Sequence, residues 1–272
     1  MARTPVGSAW PATAVLMYHS VSSVGSGPLR SLAVPPRLLR EQLGALVAAG
    51  YRLVGLSDAI DLRAAGATGP LVALTFDDGY RDFVTEALPT LAEVCASATL
   101  YLAVGHAGGP ASWLGARAAQ FPPLLDWAAL RDVTDAGIEV GNHSLVHHPL
   151  DMIAPGQLGR EIRESADRLT QRLGRPVRSF CYPHGYHTPA VRAAVVAAGH
   201  DNACAIGYRM FQPGDDPLAV PRLQPTPDHT GADLVRLVRG GGARLPAMGK
   251  AAAQPGWRIA RRVARRVGVR LT

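Results

Sequence analysis

Two carboxylates stand side by side in LTFDDGY (74–80), where Asp77 and Asp78 end an apolar run and Gly79 follows at once. Adjacent aspartates repel, so a pair kept ionised needs a counter-charge. The plain use of such a pair is a helix cap, because Asp accepts from the free N–H groups of a first turn and suits its positive end. A second stretch, EVGNHSLVHHPL (139–150), sets His143 and His147 four residues apart, again after an apolar run. Imidazoles about one helical turn apart can converge on one divalent cation, although that spacing also recurs by chance on surfaces. Joined to a carboxylate from another strand end, they describe a two-His, one-Asp site with a position left for water. One aspartate is then neutralised as a ligand, and its neighbour stays free to take a proton. A third stretch, SFCYPHGYHTP (179–189), holds Pro183, His184 and Gly185 in a turn whose backbone N–H groups can face a cleft as oxyanion donors. Most such turns do no chemistry.

The elements that must position these groups follow from hydrophobic period. Short apolar runs alternate with segments of helical period, which predicts parallel strands joined by helices. Strands are expected in TAVLMYH, LVALTF, ATLYLAV, IEVGN, VRSFCY and DNACAI. Helices are expected in PPRLLREQLGALVAAG, DFVTEALPTLAEV, DWAALRDVTDAG (opened by Asp126, stopped by Gly137), PGQLGREIRESADRLTQRLG and TPAVRAAVVAAG. No Gly-rich phosphate fingerprint follows the first strand, so a (β/α) barrel of about seven strands is preferred to an open sheet. Active sites in such folds sit at the C-terminal strand edge, where all three stretches fall. Connections at 104–110 and 213–217, rich in Gly and Pro, read as rim loops.

With 272 residues and 47% hydrophobic composition, the chain can bury a large core, and disorder throughout is excluded. Cys95, Cys181 and Cys204 are odd in number and lack C-x-x-C spacing, which argues against a disulfide framework or a thiolate zinc knuckle. No export signal or membrane span is legible, so the expected location is the cytoplasm. After Asp233 there is no acidic residue but ten Lys and Arg; the overall +7 less these ten leaves −3 for the preceding body. The basicity belongs to a tail. Over 255–272 the tail places Trp257, Val263, Val267 and Leu271 on one helical face and arginines opposite. That pattern fits either a helix on the anionic inner face of a membrane or one docked on the barrel. No nucleic-acid partner is expected.

LTFDDGY, GNHSLVHH and FCYPHG, in this order, resemble the first three motifs of the polysaccharide deacetylase family, carbohydrate esterase family 4, also called the NodB homology domain. The resemblance covers roughly residues 13–239, including LMYHSVS and DDPLAVPRL, and leaves 1–12 as an extension and 240–272 as the tail. It implies a distorted, TIM-barrel-related (β/α) fold and metal-dependent removal of N-acetyl or O-acetyl groups from amino sugars, with zinc or a similar divalent cation. It makes Asp77 the general base and Asp78, His143 and His147 the metal ligands. His184 takes the place of a tyrosine whose backbone N–H holds the oxyanion. Tyr80 and His148 are expected to touch substrate. An N-acetylated glycan, lipid-linked or small, would suit a protein without an export signal. A zinc-containing glycan-binding relative with weak catalysis, and a hydrolase of non-sugar amides, are the alternatives.

The chain departs from the family pattern in three places. His148 intervenes between His147 and Pro149. Cys181 stands where many members carry an arginine that pairs with the base; Arg222 in VPRL is the candidate replacement, with substrate contact as its other reading. The leucine-flanked histidine expected as general acid has no clear equivalent. His229 in TPDHTG is nearest in order, and His19 at the end of the first strand is a further cleft candidate.

Overall fold

The structure, a computed structural model, describes residues 11–24 and 26–241. The extension expected over 1–12 and the tail expected over 240–272 therefore lie almost wholly outside the described residues, and the amphipathic 255–272 segment entirely so.

The strands read as unbroken apolar runs because both faces are covered. Every residue of β1 (Ala14–Tyr18), β3 (Leu71–Phe76) and β4 (Thr99–Leu102) is buried, as expected where helices pack outside a parallel sheet. With β2 (Arg52–Val54), β5 (Glu139–Asn142), β6 (Ser179–Cys181) and β7 (Asn202–Cys204) they form a seven-stranded parallel sheet in the order β1-β3-β4-β5-β6-β7. Distortion enters at β3. β2 pairs with its first half through Leu71, Val72 and Ala73, whereas β4 meets only Thr75 and Phe76. The sheet curls until the extended segment 220–223 bridges its ends: Val220 pairs with Cys204 of β7 and Leu223 with Leu16 of β1, both parallel.

The two-residue period of the strands sorts side chains into two cores. Leu16, Tyr18, Val72, Leu74, Phe76 and Leu100 face outward with Leu39, Leu43 and Leu46 of α1 (Pro36–Ala48), Leu91 of α3 (Leu88–Glu93) and Leu130 and Val133 of α4 (Ala129–Asp135). Val15, Ala73, Tyr101, Cys181, Cys204 and Val220 face inward and fill the barrel with Val54, Leu56 and Ala59. Gly141 is required there: a Cβ would lie 2.3 Å from the Tyr101 ring.

Punctuation behaves as expected. Asp126 Oδ1 accepts from the backbone N–H groups of Ala128 and Ala129 at 3.0 and 2.8 Å at the start of α4, and Gly137 ends it at φ 75°. The sequence reading did not assign β2 or α2 (Leu56–Ala64). The helix expected over 82–94 begins with a π-helical turn, Phe83–Ala87. Another π-helical turn, Arg160–Glu164, divides the expected 155–174 helix into α5 (Pro155–Gly159) and α6 (Ser165–Leu173). The crossover from β6 to β7 is made by α7 (Pro189–Ala197), and α8 (Gly231–Arg236), opened by a Thr230–Asp233 capping box, packs against α1. No helix among the described residues is long and apolar enough to cross a membrane.

Candidate active site

Strand alternation delivers the first carboxylate. Asp77 continues the inward face of Ala73 and Thr75 and extends the ladder by donating its N–H to Tyr18 O at 2.9 Å. The chain then turns sharply, with Asp78 at φ 73° and Gly79 at φ 85°. Only glycine fits at 79, where a Cβ would lie 2.5 Å from Leu102 Cδ1. The turn sends the neighbouring carboxylates to different partners, so the pair is not the helix cap that remained open in the sequence.

Arg222 grips Asp77 with both arms, Nη1 to Oδ1 at 2.6 Å and Nη2 to Oδ2 at 2.7 Å. The guanidinium is 1% exposed and its remaining donors are used: Nε on Ala205 O at 3.2 Å, Nη1 on Thr75 Oγ1 at 3.1 Å and Nη2 on Cys181 Sγ at 3.2 Å. Arg222 therefore fixes the Asp77 carboxylate, and the expectation that it contacts substrate is corrected: the side chain is buried, with its donors spent on Asp77 and its neighbours. Cys181 leaves room for this arrangement, because β6 presents a small side chain where an arginine would compete for Asp77. Burial drives the Asp77 pKa up, but the charge and hydrogen bonds of Arg222 outweigh it and hold the carboxyl below its ordinary value. His19 Nε2 lies 3.9 Å from Asp77 Oδ2, with 13% of its side chain exposed.

Asp78 faces the imidazoles. Its Oδ1 is 3.4 Å from His143 Nε2 and 3.3 Å from His147 Nε2, and one ligand atom from each of the three residues falls within 4.8 Å of the others. Burial opposes ionisation of Asp78, but hydrogen bonds from both rings hold its pKa well below the usual carboxylate range. His143 donates Nδ1–H to Cys181 O at 2.8 Å, which in the neutral ring keeps the Nε2 lone pair available to a cation. The loop between the histidines is held from four sides. Ser144 N–H donates to Asn142 Oδ1, Val104 N–H to Ser144 O, Gly105 N–H to Leu145 O and Val146 N–H to Glu161 Oε2. Of six non-glycine residues at positive φ among the described residues, four are Asp78, Ser144, His147 and His184, so backbone strain is concentrated at this site.

One oxygen and two imidazole nitrogens suit zinc and similar divalent ions. A second cluster of Asp77, His143 and Cys181 also falls within 4.8 Å. It is the poorer fit, because both Asp77 oxygens are already held by a cation and burial keeps the Cys181 thiol protonated.

The remaining expected residues separate. His184, at φ 58° in the turn after β6, sets its ring 4.8 Å from that of His147. His148 is exposed on the rim, its Nδ1 3.5 Å from Glu161 Oε1. Tyr80 is not a cleft residue as expected. It is buried and stacked on Phe121 at 5.2 Å, with its hydroxyl in electrostatic reach of Asp78 but making no hydrogen bond of normal geometry. His229 is not brought to the cluster: its Nδ1 accepts from Thr226 N–H at 3.0 Å and its carbonyl accepts from Gln42 of α1. Two residues escaped the sequence reading. Trp113 stacks on His147 and has no spacing signal, being a lone indole in a Gly/Pro-rich loop. Asp82 is buried behind the turn, hydrogen-bonded to Ser20 Oγ, and burial raises its pKa to about 6. With a folded pKa above the unfolded value, Asp82 favours folding at low pH, and that contribution is lost as pH rises from about 4 through about 6. Asp82→Asn should therefore stabilise the protein at pH 7.5, by at most about 3 kcal/mol, with the gain fading below pH 5; thermal melts across this range check it.

A family model described as Polysaccharide deacetylase matches residues 65–203. The Bacillus subtilis (strain 168) protein YxkH, whose name assigns it to the polysaccharide deacetylases, is 26% identical over 187 residues, 66% of this chain. The match spans only 60% of that relative's length. Among solved structures, IcaB from Ammonifex degensii is 26% identical with a TM-score of 0.69, covering 84% of this chain and 97% of its own. The Streptococcus pyogenes deacetylase PplD, solved with acetate, superposes with a TM-score of 0.71 at 20% identity, covering 84% of this chain and 98% of its own. That second likeness is one of fold.

Proposed function

Because the chain belongs to the polysaccharide deacetylase family, we propose that residues 13–239 form a metal-dependent hydrolase domain that removes an acetyl group from an amino sugar in a glycan. The observation carrying this reading is the division of labour between adjacent carboxylates: Asp78 meets two imidazoles, while Asp77 is held apart by Arg222. Asp78, His143 and His147 would hold a divalent cation, zinc in the reading favoured here, which when bound supplies Lewis acidity to the acetyl carbonyl and to water.

The chain's own groups do the rest. Asp77, kept ionised and aimed by Arg222, takes the proton from the attacking water. The Pro183–Gly185 turn abuts His147 and is the candidate backbone donor to the oxyanion. An amide nitrogen leaves poorly unless protonated. We assign that proton to His19, which lies beside Asp77, in preference to His229, the acid expected from chain order, because His229 is engaged in its own loop. His19→Ala should thus lower kcat by roughly 100-fold or more, and His229→Ala should leave it near the wild-type value. The reverse ranking in a steady-state assay would return the acid role to His229.

The full chain, stripped and reloaded with Zn2+, is expected to release acetate from N-acetylglucosamine oligomers or from lipid-linked N-acetylated sugars. Stoichiometric Zn2+ binding with no acetate from either set would favour the glycan-binding alternative. Absence of any divalent-ion binding would sink the metal reading. The cytoplasmic and inner-membrane-face locations expected from the sequence remain part of this proposal only insofar as a lipid-linked substrate is the one hydrolysed.

A further inference from the structure

The two imidazoles of the site are held in different ways. His143 has the hydrogen bond that ordinarily orients a metal-binding ring, Nδ1–H to Cys181 O at 2.8 Å. His147 has none among the described residues: its Nδ1 is buried there without a hydrogen-bond partner. Its backbone is fixed, at φ 59° with the N–H donating to Ser144 Oγ at 3.1 Å, but neither feature sets the plane of the ring. The ring lies instead against the indole of Trp113, with centroids 4.3 Å apart and planes 20° from parallel. His143 and His184 each meet it edge-on at 4.8 Å.

Trp113 is itself secured. It belongs to the turn segment Ser112–Gln120 between β4 and α4, packs against the outward core and meets the His106 ring edge-on at 5.1 Å. Ser112 Oγ is hydrogen-bonded to His106 Nδ1 at 3.2 Å. The indole thus reaches from the loop after β4 to a ring carried by the loop after β5.

We propose that Trp113 is the positioning residue that aims His147 Nε2 at the cation site, its flat face doing for this ring what the Cys181 carbonyl does for His143. The inference rests on the metal-binding reading above. A stacked face fixes the imidazole plane without accepting a proton. Removing it leaves rotation about the Cβ–Cγ bond limited only by edge contacts and by Asp78. Hydrogen-bonded partners that orient a metal-binding ring typically change metal affinity by 10–100-fold when lost, and the stacked face is assigned the lower end of that range.

The test uses full-length protein and Zn2+ as the probe, measured by competition with a chromophoric chelator, alongside Co2+ absorption spectra and metal-free thermal melts. Trp113→Phe, which keeps a ring face, should bind Zn2+ close to wild type and preserve the Co2+ bands. Trp113→Met, apolar and of adequate volume but without a plane, should weaken Zn2+ by about 10-fold or more and shift the Co2+ bands, beyond any change in melting temperature. Trp113→Met with wild-type Zn2+ affinity and an unchanged Co2+ spectrum would overturn the clamp and leave the metal site standing. Equal weakening in Phe and Met would also overturn it, since bulk rather than a ring face would then be what matters. A wild-type chain that binds Zn2+ no better than His143→Ala removes the metal reading itself, and the clamp with it.

Discussion

Asp77→Asn is expected to cut turnover by roughly 10^2–10^4-fold while Zn2+ affinity changes little, whereas Asp78→Asn should lose Zn2+ and turnover together. The argument is geometric. Asp77 and Asp78 are consecutive, yet the left-handed turn at 78 gives one carboxylate to Arg222 and the other to two imidazoles. Asparagine at 77 is isosteric and still accepts one guanidinium hydrogen bond, but it cannot take a proton from water. Because Arg222 then keeps a buried charge without its full partner, some stability is lost too, so rates must be referred to the folded fraction from the same melts. Steady-state kinetics and chelator competition on both variants decide the matter. If Asp77→Asn loses Zn2+ as severely as Asp78→Asn, the roles assigned to the two residues are wrong.

Arg222→Met is expected to be the most destabilising single change in the site. Breaking a buried ion pair by removing one partner typically costs about 3–5 kcal/mol, because the remaining charge is left uncompensated. Here that charge is Asp77, 3% exposed. Without the guanidinium, burial would drive the Asp77 pKa up, so the loss should be large at pH 8 and shrink as pH falls and the carboxyl protonates. The double variant Asp77→Asn, Arg222→Met should recover part of the stability, since neither charge is then stranded; strictly additive losses in denaturant titrations would mean that the pair is not coupled. The same substitution frees Asp77 to adopt other rotamers, so activity should fall even at temperatures where the variant stays folded.

Much of the site was legible because strand ends announce themselves. In LTFDDGY, GNHSLVHH and FCYPHG, an apolar run stops at polar residues, and a parallel barrel gathers such stops on one rim. Asp77, Asp78, His143 and His147 meet for that reason. Arg222 could be suspected but not placed: the segment carrying it is a bridge of a few residues, too short for any period to show. His229 shows the converse difficulty. Chain order suggested it as the acid, but order does not specify direction, and the Thr230–Asp233 capping box with α8 against α1 holds it among its own loop contacts. Trp113 gave no signal because stacking against a distant loop leaves no trace in spacing. β2 and α2 were missed where the runs are short and the apolar pattern fits either period.

The bridge at 220–223 is the last stave of the barrel, and it carries the only guanidinium that touches Asp77 among the described residues. A nascent chain that has emerged only as far as β7 already contains both aspartates and both histidines, yet it has nothing to quench the repulsion at 77 and no seam between β7 and β1. If Asp77 is the base proposed above, its pairing with Arg222 and the sealing of the cylinder are then one event in folding. On the proposed roles, fragments that stop short of Arg222 would keep the three side chains proposed to hold a cation without the guanidinium that holds Asp77.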